Sequence, residues 1–204
     1  MSSIKLKHSG GNSVIIAAPS SNPASDRTLT VPSNADGTIL TNSTPGCILQ
    51  VVQTYRTSQF SESLTTGNYS AAVMTASITP ASSSNKILVL CTVHISTGSG
   101  TNGAQARLAR DGTAIGIADA DGSRTRATGA GMGSSAVSRQ QSNVQMTFLD
   151  SPSSTSALSY TAHIKPGYSG TETVYLNREG GGHSTNGSNV GLSASSLTLM
   201  EVAV

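Results

Sequence analysis

Lys86-Ile87-Leu88-Val89-Leu90-Cys91-Thr92-Val93-His94-Ile95 is the stretch that decides the fold. It is too short for an isolated core helix, lacks Gly and Pro, and is dominated by β-branched and aliphatic residues. It is the most β-prone stretch in the chain and reads as a central strand. On the N-terminal side lie two further β-prone runs, Ile48–Tyr55 and Tyr69–Thr79, the second ended by Pro80. On the C-terminal side, Ala104–Arg110 meets Asp111-Gly112, a two-residue hairpin signal, and Ala114–Ile117 returns. Val144–Asp150 and Ala157–Ile164 read as strands around the turn Ser151-Pro152-Ser153-Ser154, followed by Thr173–Asn177 and Ser196–Val204. Residues 119–143 and 180–187 are rich in Gly and Ser without a period, and read as loops. No segment has helical spacing with caps. The expected fold is all-β: a short extended N-terminal β-arm over residues 1–45, then an antiparallel β-sandwich or jelly-roll head over residues 46–204.

The arm differs from the head in having almost no core of its own. Ile4-Lys5-Leu6-Lys7-His8 alternates apolar and polar, Ser9-Gly10-Gly11-Asn12 turns, and Ser13–Pro19 returns. Beyond the breaker cluster Ser20–Asp26, the little runs Thr28-Leu29-Thr30-Val31 and Thr38-Ile39-Leu40-Thr41 follow. Such strands must lie against something else.

Composition narrows the function classes. Of 204 residues, 11% are charged, against about 25% in an average domain, and more than a quarter are Ser or Thr. A net charge of +2 with 36% hydrophobic residues is unlike the high-charge, low-apolar signature of disorder. The 12 Lys and Arg are scattered rather than striped, which argues against nucleic acid or an anionic membrane surface as partner. No run of about 18 apolar residues exists, and the opening Met1-Ser2-Ser3-Ile4-Lys5 lacks the apolar segment of a signal peptide, so assembly in a cytoplasm is expected. Two Phe, five Tyr and no Trp make a thin core for a single chain, and a homo-oligomer interface would add buried surface. Cys47 and Cys91, each in an apolar run, are expected as free buried thiols.

Several stretches resemble virion structural proteins of marine phages, cyanophages among them. The opening Ile4-Lys5-Leu6-Lys7-His8-Ser9-Gly10-Gly11-Asn12-Ser13-Val14, Thr28-Leu29-Thr30-Val31-Pro32 and Asn34-Ala35-Asp36-Gly37-Thr38-Ile39-Leu40 are similar to their N-terminal attachment segments. Ile78-Thr79-Pro80 through Val89, Arg110-Asp111-Gly112-Thr113, Leu149-Asp150-Ser151-Pro152 and Leu197-Thr198-Leu199-Met200-Glu201-Val202 resemble the heads that follow. The resemblance covers most of the chain. It implies a tail-fibre-like protein of the virion that forms homotrimers with jelly-roll-like heads, similar in spirit to tumour-necrosis-factor-like trimers. The segment in contact with other virion proteins would carry Ile4, Leu6, Val14, Ile16, Leu29, Val31, Ile39 and Leu40. It implies no catalytic residue.

Catalytic and metal signatures are sparse. Asp119-Ala120-Asp121-Gly122 looks like a fragment of a Ca²⁺ loop, but residues 123–138 hold no carboxylate, and a plain turn is the favoured reading. His8, His94, His163 and His183 are isolated; His94 and His163, on strands, are the ones a three-fold axis could gather. No Gly-x-Ser-x-Gly elbow occurs, and the acidic residues are expected mostly in turns rather than paired in a groove, so neither catalysis nor a cofactor is expected. Receptor contact is the other role open to the loops, through Arg124, Arg126, Tyr168 and His183. Three functions are therefore carried forward: a tail-fibre component, a capsid decoration or head-fibre protein of the same architecture, and a lectin-like receptor-binding tip.

Overall fold

The structure is a computed structural model that describes residues 3–7, 9–17, 45–65, 67–98, 103–131, 140–167, 170–180 and 191–204. Every strand pairing among them is antiparallel, and no helix occurs among the described residues. The chain divides into two compact units, Met1–Ile39 and Leu40–Val204.

The first unit contains a hairpin of β1 (Ser3–Lys7) and β2 (Ser13–Ala17). Its register pairs Ile4 with Ile16 and Leu6 with Val14, so these four positions alternate with the pairs Lys5–Ile15 and Lys7–Ser13. With a period of two, the four aliphatic positions share one side of the ribbon.

The second unit is a two-sheet sandwich. Its strands are β3 (Ile48–Arg56), β4 (Phe60–Thr65), β5 (Met74–Ile78), β6 (Lys86–Thr97), β7 (Ala104–Arg110), β8 (Thr113–Ile115), β9 (Gly129–Ala130), β10 (Ser142–Asp150), β11 (Leu158–Pro166), β12 (Thr171–Leu176) and β13 (Ser195–Val202). One sheet runs β3-β13-β6-β10, with β12 and then β4 added beside the far end of β6. The other runs β5-β11-β7-β8, with β9 also on β7. Setting aside β4, β9 and β12, the remaining strands of the head numbered one to eight fall in the orders 1-8-3-6 and 2-7-4-5. That is the connectivity of a jelly roll.

The core lies between the sheets. β6 alternates along its length, with Ile87, Val89, Cys91, Val93 and Ile95 buried. From the other sheet, Ala106, Leu108, Tyr160, Ala162 and Ile164 meet them. Small and medium aliphatic side chains make up most of this interior. Tyr160 is the one fully buried aromatic ring among the described residues.

The two sheets are tied together along both flanks of the sandwich. At one, side chains of β3 reach the carbonyls along β5: Gln50 Nε2 to Thr79 O (2.7 Å), Thr54 Oγ1 to Thr75 O (2.7 Å) and Arg56 Nη1 to Val73 O (2.7 Å). These bonds occupy acceptors that an incoming strand would otherwise use. At the other edge, β9 passes close to β10. A Cβ on Gly129 would stand 2.7 Å from Val144 Cγ1, so only glycine lets the two segments approach.

Some local expectations are modified. Asp111 (φ 47°) and Gly112 (φ 80°) form the turn between β7 and β8, the two positive φ values of a type I′ hairpin. The run from Tyr69 is regular only from Met74, and residues 119–143 contain β9 and the start of β10. Asp150 and Glu201 lie on the strands expected for them, and both are buried. Cys91 is buried, whereas Cys47 is only half-buried; both are free thiols.

Candidate interaction surfaces

Two buried carboxylates flank Ile87 on either side, at one end of the larger sheet. Asp150, at the end of β10, accepts from Arg110 Nη1 (2.5 Å) on β7 and from the Tyr160 hydroxyl (2.7 Å) on β11. These bonds join one sheet to the other. Burial and the Asp150 carboxylate together push the Tyr160 phenol well above its usual range. Glu201, on β13, accepts from Asn85 Nδ2 (2.6 Å), Gln50 Nε2 (2.6 Å) and the Ala81 amide (2.7 Å). Burial alone would raise the Glu201 pKa, but these donors outweigh it and hold the carboxyl below its ordinary value. The motifs singled out in the sequence thus pair with one another: Arg110-Asp111-Gly112 with Leu149-Asp150, and the Pro80–Asn85 connection with Met200-Glu201-Val202. They are the polar joints of the fold.

Asn177 is a third joint. Fully buried with φ 61°, it donates through Nδ2 to Arg56 O (2.9 Å) and Ser58 O (3.2 Å), and its Oδ1 accepts from Ser195 Oγ (2.6 Å). Asparagine tolerates this left-handed backbone better than most residues.

The outer face of the sheet β5-β11-β7-β8 is polar and is covered by the chain's own loops. Lys165, only 4% exposed, donates from Nζ to Thr125 Oγ1 (2.9 Å), and burial lowers its pKa. The Arg107 guanidinium stacks on the Tyr69 ring, 4.0 Å from its centroid, and the Tyr69 hydroxyl donates to Arg126 O (3.2 Å). Sequence reasoning missed this cluster, since Tyr69, Arg107 and Lys165 are far apart in the chain and no spacing marks them.

The expected receptor residues divide. Arg124 is exposed and pairs with Asp121 on its own turn (2.9 Å), while Arg126 Nε donates to Ala118 O (2.6 Å). Both serve the local loop that closes over Tyr69. Tyr168 and His183 lie outside the described residues. Among the expected attachment residues, Ile4, Leu6, Val14 and Ile16 come together on the β1–β2 hairpin, with Leu6 and Ile16 exposed. Leu29, Val31, Ile39 and Leu40 lie outside the described residues.

His163 is engaged on both ring nitrogens: Nδ1 faces Ser70 O and Nε2 faces the Thr161 hydroxyl, each at 2.9 Å. His94 is half-buried on the outer face of β6, and His8 and His183 lie outside the described residues. Among the described residues no three His, Cys, Asp or Glu side chains converge as metal ligands would.

The outer face of the sheet β3-β13-β6-β10 is of the opposite character. Its register aligns Val51, Met200, Leu88 and Leu149 in one row across four strands, with Ile48 and Val202 beside it. The signal was present in the double-sided apolar run Ile87–Cys91, but the row becomes visible only when four strands are in register.

No protein-family model matches the chain, and no curated protein matches it in sequence.

Proposed function

We propose that the chain is a non-enzymatic structural protein of a bacteriophage virion, a homotrimeric tail-fibre component that attaches to other virion proteins through its N-terminal segment and presents a jelly-roll head. The observation that carries this reading is the β1–β2 hairpin. A two-stranded ribbon is marginal in water by itself, yet this one gathers Ile4, Leu6, Val14 and Ile16 on one side, and Leu6 and Ile16 are more than half exposed. Docking on a partner would bury that side. The low charge and hydroxyl-rich loops suit a surface that must stay soluble without attracting nucleic acid. A capsid decoration protein would have the same build, and the particle location separates the two.

The test is incorporation. A Leu6→Asp/Ile16→Asp double variant changes only exposed hairpin positions, so the head should fold as before. Quantitative mass spectrometry of purified particles should then find the variant at no more than about a tenth of the normal copy number. Normal incorporation would sink the attachment role. Release of saccharide or peptide from host envelope material by purified protein would instead favour an enzyme.

A further inference from the structure

We infer that the outer face of the sheet β3-β13-β6-β10 is a docking surface for a second copy of this chain. This deepens the homo-oligomer reading, on which it rests, by assigning the residues that meet. The two sheets are treated differently among the described residues: the polar outer face around Lys165 and Arg107 is covered by the loop carrying Thr125 and Arg126, while no described loop of the head covers the aliphatic face. On that open face Val51 is 57%, Leu149 47%, Ile48 48% and Tyr55 64% exposed, with Leu88, Leu90, Met200 and Val202 half-buried between them. A contiguous apolar patch of this kind marks an interaction site.

Charge and area point to a like copy as the occupant. The titratable groups facing outward are Lys86 and His94 on β6 and the Tyr55 hydroxyl on β3; the outward positions of β13 and β10 (Ser196, Thr198, Met200, Val202, Asn143, Gln145, Thr147, Leu149) carry none. Among the described residues these four strands turn no carboxylate outward, and their one permanent outward cation, Lys86, sits at the end of the pattern. A strongly charged partner finds nothing to pair with. A second copy brings the same neutral, aliphatic and hydroxyl surface and meets no like-charge repulsion. Four strands at about 4.8 Å spacing, over some eight residues at about 3.3 Å, give on the order of 500 Å² per copy. Two copies would bury roughly 1,000 Å², the threshold of a specific interface.

The experiment uses the full chain. Light scattering from about 1 to 100 µM should show an oligomer for the unaltered protein and at least about 100-fold weaker association for Val51→Lys/Leu149→Lys, with the same far-ultraviolet circular dichroism. Hydroxyl-radical footprinting of the unaltered protein gives a readout free of mutational folding effects: Met200 and Tyr55 should be protected in the oligomer and exposed on dilution. A monomer at every concentration would refute the oligomer reading, and this inference with it. An oligomer that survives both lysines, with Met200 and Tyr55 unprotected, would refute the face alone. Protection of that face by neutral phosphatidylcholine vesicles but not by raised protein concentration would assign it to lipid instead.

Discussion

Removing the Glu201 carboxylate should loosen the base of the head, and the cost follows from its partners. In Glu201→Ala, Asn85 Nδ2 loses a 2.6 Å bond in a dry environment, whereas Ala81 N and Gln50 Nε2, nearer the surface, regain water. A stranded buried donor costs about 1–3 kcal/mol, and the two rehydrated donors about 0.5 kcal/mol each. The lost methylene adds about 0.8 kcal/mol, and relief of carboxylate desolvation offsets part of the sum. The net is about 3 kcal/mol, or roughly 6–12 °C in melting midpoint for a domain of this size. Glu201→Gln keeps the shape but sets an amide NH₂ against that of Gln50, and should cost about 1–2 kcal/mol. Acid separates the variants. The folded carboxyl titrates below its ordinary value of 4.5, so its stabilisation is present above that pH and is lost as pH falls through the lower, folded value. Urea unfolding from pH 7 to pH 3 should show a steeper acid loss for the unaltered protein than for Glu201→Gln. Identical acid limbs, or a Glu201→Ala loss under 1 kcal/mol at pH 7, would refute the reasoning.

Two further outcomes are expected. Burial pushes the Cys91 thiol up to about 12, so at pH 8 a maleimide should modify Cys47 in the native protein and reach Cys91 only after denaturation, as peptide mass mapping would show. Asn177→Ala leaves Arg56 O, Ser58 O and Ser195 Oγ without their partner and sets at φ 61° a residue that tolerates this backbone less well than asparagine, so chemical denaturation should report a loss of about 2–4 kcal/mol, with Asn177→Gly recovering only the backbone part.

The long strands were legible because their signal is local. β6 is apolar throughout, and the Asp111-Gly112 turn declares itself in two residues. β4 escaped notice because an edge strand buries one side only, and Phe60-Ser61-Glu62-Ser63-Leu64-Thr65 offers just Phe60 and Leu64 as apolar markers. β9 is two residues held by β7 and has no pattern to read. The strands that carry the interior acids were legible, but their burial was not, because it depends on partners far along the chain, 40 residues from Asp150 to Arg110 and 116 from Glu201 to Asn85. The hairpin face of Ile4, Leu6, Val14 and Ile16 follows directly from alternation. The open face of the larger sheet required cross-strand register, which composition and period do not contain.

The place of β13 has a consequence for how the molecule is made. It lies between β3 and β6, and its Glu201 bonds to Gln50 across 151 positions of sequence. During synthesis β6 must therefore wait, with one long edge unpaired, until the segment up to Val202 has left the ribosome. Pairings this distant close slowly, and a nascent strand as apolar as Ile87–Ile95 is sticky while it waits. Expression at lower temperature, which slows aggregation of that intermediate, should raise the soluble yield more than any change to the finished surface.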